Sequence, residues 1–442
     1  MSTIEKLATQ ITSTTQRSAS TRQILQLHIA DTVAAWVAGA QTHEGRDLLA
    51  AARQGDAGPF GGGVMGRVMQ NCAVTRLSEI DDIHLAAGTT PGSLIVPAAL
   101  TLAGALNSTT DLEQAMLAGY DALVRLGEEI GGASALYRGI WPTYFNAPYG
   151  VAAVASKLLG LDATQTAHAL SLALVTASPN VGQQSGKMAR WLLLGAAAKN
   201  GAMAALAAKQ GFTGDLTLLD KPFHAVYGLK IDAERLLASM QKPPAILEVG
   251  FKPWCAARQT MAAAQGFKEI LSSGVNVKNI ESIKVQVPPA YLGMVNHGVV
   301  PGDRSSHMTS LPYQLVLAAL APEKMALLDY APSPTPAEHL ALLARIHVEA
   351  DESLMAHFPR SWPARIEVNT KSGAEKRLIT DIPGDPGRPF DENQLGEKFK
   401  AVLAANVGGS DIESLLRLAL DVLDQPENTT KLLNQIEKCC AH

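Results

Sequence analysis

The chain has 442 residues, 47% hydrophobic and 18% charged, which excludes an intrinsically disordered chain. A mean hydropathy of +0.07 is too low for a polytopic membrane protein. Thirty-seven Lys and Arg against 41 Asp and Glu give a net charge of −4, so no basic field exists to recruit nucleic acid or an anionic membrane.

At about 150 residues per domain, the length implies two or three domains. Aromatics are 5% while Ala and Gly abound, a mixture suited to helices packed closely through small residues. The four cysteines (Cys72, Cys255, Cys439, Cys440) show no CxxC spacing, so no metal site is expected, and a reducing, cytoplasmic compartment fits them. The N-terminal stretch is polar with early charge and has no apolar core, so no signal peptide is expected.

The first predicted helix, Thr21 to Ala40, carries Ile24, Leu25, Ile29, Val33 and Val37 as an apolar stripe. The glycine-rich segment 55–66 lacks the Lys-Ser/Thr of a phosphate loop and reads as a surface loop. Helical patterns recur at 70–83, 94–107, 111–131, 147–159, 163–177, 187–210 and 255–272. Asp111, Asp162 and Thr164 stand where N-caps belong, and Gly160 and Gly211 where helices stop. Trp191 to Ala208 is the most apolar stretch, but Lys199 and Asn200 mark it as a buried helix rather than a membrane span.

Near residue 275 the period changes to alternation. Strands are predicted around Ile283–Val287, Leu343–Glu349, Ile366–Val368 and Arg377–Ile382. Helices return from Leu395 to the end. The expected fold is mainly α: a large all-helical domain (1–268 and 395–442) plus a smaller α+β domain (269–394) with an antiparallel sheet.

Four stretches carry candidate chemistry. In Glu79-Ile80-Asp81-Asp82-Ile83-His84, helical spacing would put Asp81 and His84 on one face, where the carboxylate raises the imidazole's basicity. The plainer reading is an acidic helix end. The segment 137–150 holds two prolines and reads as a loop presenting Tyr144 and Tyr149, or as a hydrophobic plug. The polar loop 178–186 delivers Lys187 to the start of an apolar helix, where the dipole and burial favour its neutral amine as a base. Lysines also snorkel harmlessly at such ends. The loop 250–259 offers Lys252 and Arg258 for carboxylates, with Cys255 near a helix start. His297, His307 and Tyr313 are isolated and read as structural or rim residues.

In order and separation these stretches resemble the MmgE/PrpD family of 2-methylcitrate dehydratases, cis-aconitate decarboxylases and iminodisuccinate epimerase. The resemblance runs from Ala30–Ala35 (ADTVAA) through Pro91-Gly92-Ser93, Ala118-Gly119-Tyr120-Asp121, Arg138-Gly139 and Lys187. It continues through Gly211-Phe212-Thr213-Gly214, Lys252-Pro253 and Ser310-Leu311-Pro312-Tyr313, covering most of the chain. It implies a helical domain with an α+β lid acting on small polycarboxylates without metal or cofactor.

The departures are informative. Thr90 stands where the family usually has His before Pro-Gly, Trp141 where a histidine is common, and Arg190 to Gly195 where His-Ala-Gly follows the lysine. The cysteine loop also lacks its downstream histidine. Dehydration and decarboxylation each need an acid, whereas epimerisation alpha to a carboxylate needs two modest bases and cations for an enolate-like intermediate. The resemblance therefore implies an epimerase of iminodisuccinate-like substrates. Its catalytic groups would be Lys187, His84, Asp81, Tyr144 and Tyr149, with Asp82, Arg190, Lys252 and Arg258 binding substrate. A hydro-lyase or a non-catalytic binding member are the alternatives, and a homodimer is the expected assembly.

Overall fold

A computed structural model describes residues 1–13, 18–56, 63–106, 111–178, 189–221, 223, 227–425 and 427–440. The chain divides into two compact units, Met1–Gly250 with Asp391–His442, and Phe251–Phe390.

The first unit opens with helices α1 (Thr3–Ser13), α2 (Ala19–Ala40), α3 (His43–Asp56), α4 (Gly63–Leu77) and α5 (Gly92–Leu106). It continues with α6 (Leu112–Glu129), α7 (Gly132–Leu136), α8 (Pro142–Leu158), α9 (Ala163–Val175), α10 (Ala189–Lys209) and α11 (Ala233–Ser239). Asp111 caps α6, and Asp162 forms a full capping box with Gln165 on α9; Thr164 lies inside that helix. Gly160 and Gly211 take the left-handed backbone that ends α8 and α10.

Small residues set the helix spacing. A Cβ on Gly201 of α10 would lie 2.2 Å from the Pro148 carbonyl of α8, and one on Gly39 of α2 would lie 2.0 Å from the Val74 carbonyl of α4. From Leu27 to Ala40, α2 is buried on every side rather than along one stripe. Its polar residues His28 and Asp31 must therefore find partners inside the protein. By length and composition Arg190–Lys209 is long and apolar enough to cross a membrane, but it packs against α4, α8 and α9.

Two expectations are corrected here. The 70–83 helix stops at Leu77, so Asp81 and His84 do not share a helix face. The 137–150 segment is largely helix: Pro142 occupies the first turn of α8, where its missing N–H costs nothing, and Pro148 is accommodated inside it. Tyr149 consequently points into the core cluster with Phe145, Leu170 and Leu174.

The second unit begins with α12 (Arg258–Ser272), β1 (Ile280–Val287), α13 (Pro289–Val295), α14 (Arg304–Thr309) and α15 (Leu311–Leu320). α16 (Ala337–Leu343), β2 (Ile346–Ala350), β3 (Ala364–Thr370) and β4 (Gly373–Ile379) complete it. The strand order is β2-β1-β3-β4. The sheet is mixed, not antiparallel: β1 and β2 run parallel with Ile283 opposite Ile346, because the long helical crossover between them returns the chain in the same direction. The other two pairs are antiparallel. Gly266 of α12 lies against Ile366 and Ile379, which joins that helix to the sheet. The unit borders accordingly fall at 250/251 and 390/391, against the expected 268/269 and 394/395.

Three C-terminal helices, α17 (Glu392–Leu403), α18 (Gly409–Leu420) and α19 (Glu427–Cys440), return to the first unit and pack on α2. The mainly α fold with a smaller α+β unit is the fold expected from the sequence.

Candidate functional site

The acidic stretch lies in an irregular segment between α4 and α5. Helix α4 ends as Glu79 adopts φ 60°, the left-handed region that non-glycine residues avoid at a cost of about 1 kcal/mol. The chain then pairs Ile83 with Gly250 and His84 with Thr89 in short antiparallel bridges. Successive acidic residues thereby reach different surroundings.

Asp82 is fully buried. Its Oδ1 accepts the Gly92 N–H at 2.8 Å; its Oδ2 accepts from His28 Nδ1 and the Tyr120 hydroxyl, each at 3.0 Å. A Cβ on Gly92 would strike Asp82 Oδ2 at 2.6 Å, so glycine is required for α5 to start so close. Burial and the Asp82 charge push the Tyr120 hydroxyl well above its ordinary range. Nearby, Lys398 of α17 pairs with Asp31 and donates to the Ile80 carbonyl. Burial raises the Asp31 carboxyl despite that lysine. Asp82, expected to bind substrate, is thus an internal tie whose oxygens are already occupied.

Asp81 and Glu79 face a different cluster. Arg76 Nη1 lies 2.9 Å from Glu79 and 3.4 Å from Asp81, and its Cζ sits 5.5 Å from the Trp141 ring centre and 5.3 Å from that of Trp191. Burial opposes the Arg76 charge, but Asp81 and Glu79 outweigh it and raise its pKa. Arg190 stacks 4.0 Å over Trp191 and reaches the other Glu79 oxygen at 3.6 Å. Tyr144 stacks on Trp141, its hydroxyl raised by burial with a bond to Ser178 working the other way. The structure therefore gathers Asp81, Arg190 and Tyr144 of the expected set around Arg76, Glu79, Trp141 and Trp191. Lys187 lies outside the described residues.

His84 belongs to a third group. Its Nδ1 accepts the Ala87 N–H at 3.0 Å, which leaves the ring proton on Nε2, 3.7 Å from Glu248. In this arrangement His84 is a donor, not the base expected. Arg125 bonds Glu128 at 3.2 Å, Glu248 at 2.8 Å and the Pro243 carbonyl at 3.0 Å. His84 and Arg125 together lower the Glu248 carboxyl to about 2. His84, Glu128 and Glu248 place ligand atoms within 4.8 Å of one another, close enough to hold a cation, but Arg125 already forms an ion pair with each of the two carboxylates.

In the second unit Lys252 is buried, and Arg258 is fully buried with Nη2 2.5 Å from Asp385. Cys255 is buried with its sulfur 3.3 Å from that of Met308, a packed thiol rather than an exposed nucleophile. Tyr313 donates or accepts at His339 Nδ1 (3.1 Å) and packs edge-on against His307; burial lowers both imidazoles. This trio escaped sequence reading because His339 follows by 26 residues.

The chain matches the MmgE/PrpD N-terminal domain over residues 5–230 and the C-terminal domain over residues 254–424. The chain belongs to the MmgE/PrpD family. Among its relatives is a cis-aconitate decarboxylase-like protein of Aspergillus oryzae, 31% identical over 155 residues, 33% of this chain and 32% of that protein. The cis-aconitate decarboxylase of Aspergillus terreus is 29% identical over 169 residues, 36% of this chain and 34% of that protein. These matches span about a third of those relatives' length. The human cis-aconitate decarboxylase is 26% identical over 365 residues, covering 76% of this chain and 72% of that protein.

Two of the positions where the resemblance leads one to expect histidine are instructive. Thr90 is buried, its N–H donating to the Thr143 hydroxyl at 3.1 Å, and Trp141 walls the Arg76 guanidinium. Neither supplies a titratable group. Arg76, Arg125 and Glu248 were missed by sequence reading; an Arg three residues before Glu79 was the only available signal, and that spacing is common on helix surfaces.

Proposed function

We propose that this chain is an enzyme of small polycarboxylates and epimerises an iminodisuccinate-like substrate by removing and returning the proton alpha to a carboxylate. One observation carries the reading: two guanidiniums, Arg76 beside Trp141 and Trp191 and Arg190 over Trp191, converge on a single carboxylate. Paired cations beside apolar walls bind a carboxylate strongly and stabilise the negative charge that develops when the alpha proton leaves.

Lys187 is one base in this proposal, and Asp81 or Tyr144 the other. His84 contributes an N–H donor. We leave out Asp82, whose acceptors are occupied, Tyr149, which is core, and Arg258, which is buried against Asp385. With Thr90 and Trp141 in place of histidines, expulsion of a hydroxyl lacks an acid at either position, whereas epimerisation needs only a base on one face and a protonated partner on the other that returns a proton. No cofactor is required for such a step. We take the chain to act as a cytoplasmic homodimer, for which exposed Leu192, Leu193 and Met203 on α10 offer an apolar face.

A second reading is a carboxy-lyase, favoured by the names of the relatives. The tryptophan walls would suit it too, since removing water from a carboxylate eases loss of carbon dioxide. Proton NMR in D2O separates the two. Exchange of the alpha proton of iminodisuccinate supports the epimerase. Carbon dioxide release from cis-aconitate, or water loss from 2-methylcitrate, without such exchange would replace it with a lyase.

A further inference from the structure

We infer that Glu79 is a resident stand-in for a substrate carboxylate: it occupies the two-arginine site and must swing out when substrate arrives. This deepens, and rests on, the polycarboxylate reading above. Three observations converge on it.

The first is geometry. The two oxygens of one carboxylate are divided between two guanidiniums, Oε2 at 2.9 Å from Arg76 and Oε1 at 3.6 Å from Arg190. That is how an incoming carboxylate would be gripped. The second is backbone strain. Glu79 is the only non-glycine residue with positive φ among the described residues. Such strain at a polar position is held by its surroundings and is available for release on a conformational change.

The third is charge and access. Arg76 and Arg190 are balanced by Glu79 and Asp81, so exchanging Glu79 for a ligand carboxylate leaves the cluster's net charge unchanged. The Arg76 Nε, buried beside the two tryptophans, has no hydrogen-bond partner, so a donor remains for a ligand that approaches from that side. Glu79 and Arg190 keep 15% and 16% of their side-chain surface in solvent, which leaves a route in. An internal competitor weakens binding by the fraction of time it holds the site. If Glu79 holds the arginines about nine-tenths of the time, its removal tightens binding about ten-fold.

The test is calorimetric titration of citrate into the full chain and its Glu79→Gln, Glu79→Gly and Arg76→Lys variants, with tryptophan fluorescence as a second readout. Citrate should bind Glu79→Gln about ten-fold more tightly than the unaltered protein, and adding Arg76→Lys should abolish that gain. Glu79→Gly, which suits the left-handed backbone, should show the same gain and decides the matter if Glu79→Gln does not fold. Equal or weaker citrate binding in the Glu79 variants would overturn the inference while leaving the polycarboxylate reading intact, provided the unaltered protein binds. If citrate, succinate and cis-aconitate bind none of the proteins, both fall together.

Discussion

Asp82 and Glu79 lie three residues apart and live in opposite economies of hydrogen bonds. Asp82 is sealed and saturated, with three donors from three separate elements holding α2, α5 and α6 to one point. Glu79 is partly exposed, strained and shared between two arginines that stack on tryptophan. Polar groups whose partners are complete specify the fold; a cluster in which cations hold a replaceable carboxylate is suited to a ligand. A sequence-level view of the acidic stretch cannot make this distinction, because the donors come from positions far along the chain.

The contrast can be broken most forcefully at Asp82. Asp82→Ala strands the His28 ring, the Tyr120 hydroxyl and the Gly92 N–H in the interior, and should lower the unfolding free energy by about 3–5 kcal/mol. Urea titration reads this directly. A loss below about 1 kcal/mol would show that the tie is dispensable.

A smaller effect is expected at Asp121, next to Tyr120 on α6. Its half-buried carboxylate accepts the Ala245 N–H at 2.6 Å, and loss of surrounding water raises its pKa to about 6. Because the folded value lies above the ordinary one of 3.8, there is no penalty below about pH 4. The penalty accumulates between about pH 4 and pH 6 and levels off near about 3 kcal/mol at neutrality. Asp121→Asn keeps the acceptor and removes the charge. Its stability advantage, measured by thermal melts across pH, should be nearly full above about pH 6, shrink as pH falls from 6 and vanish near pH 4. A pH-independent difference would contradict the assignment.

At the arginine cluster the effect should pass from folding to binding. Arg76→Lys keeps the charge but loses the planar fork and the stacking on Trp141 and Trp191. Turnover should fall about 10- to 100-fold, or about 1.4–2.7 kcal/mol in the barrier, while Tm changes little. The smallest effect belongs to Glu79→Gly, where relief of strain offsets the lost ion pair. Its unfolding free energy should move by less than about 1 kcal/mol.

How much of this was legible in the sequence depended on whether the cause was local. The caps at Asp111 and Asp162, the stops at Gly160 and Gly211, and the change of period before β1 are local, and the structure has them. The end of α4 was misread because Ile80 and Ile83 continue a helical spacing, although Glu79 turns the chain left-handed and Ile83 pairs with Gly250. Only the start of α8 reads as loop in the sequence, because prolines count against helices. Pro142 sits where its missing N–H is harmless, and Gly201 packs onto the Pro148 carbonyl. At the site, Asp81 and Arg190 were visible as charged residues, but Arg76 was not, since its meaning comes from two tryptophans supplied by other segments. Lys398 is 367 residues from Asp31, a pairing no local pattern reveals.

The most direct test of the central claim follows the alpha proton of iminodisuccinate by NMR in D2O, with the unaltered protein and Arg76→Lys side by side. The account predicts exchange with the former and a loss of at least about ten-fold with the latter, at matching Tm. Equal exchange in both proteins, or none with the unaltered protein, would contradict it.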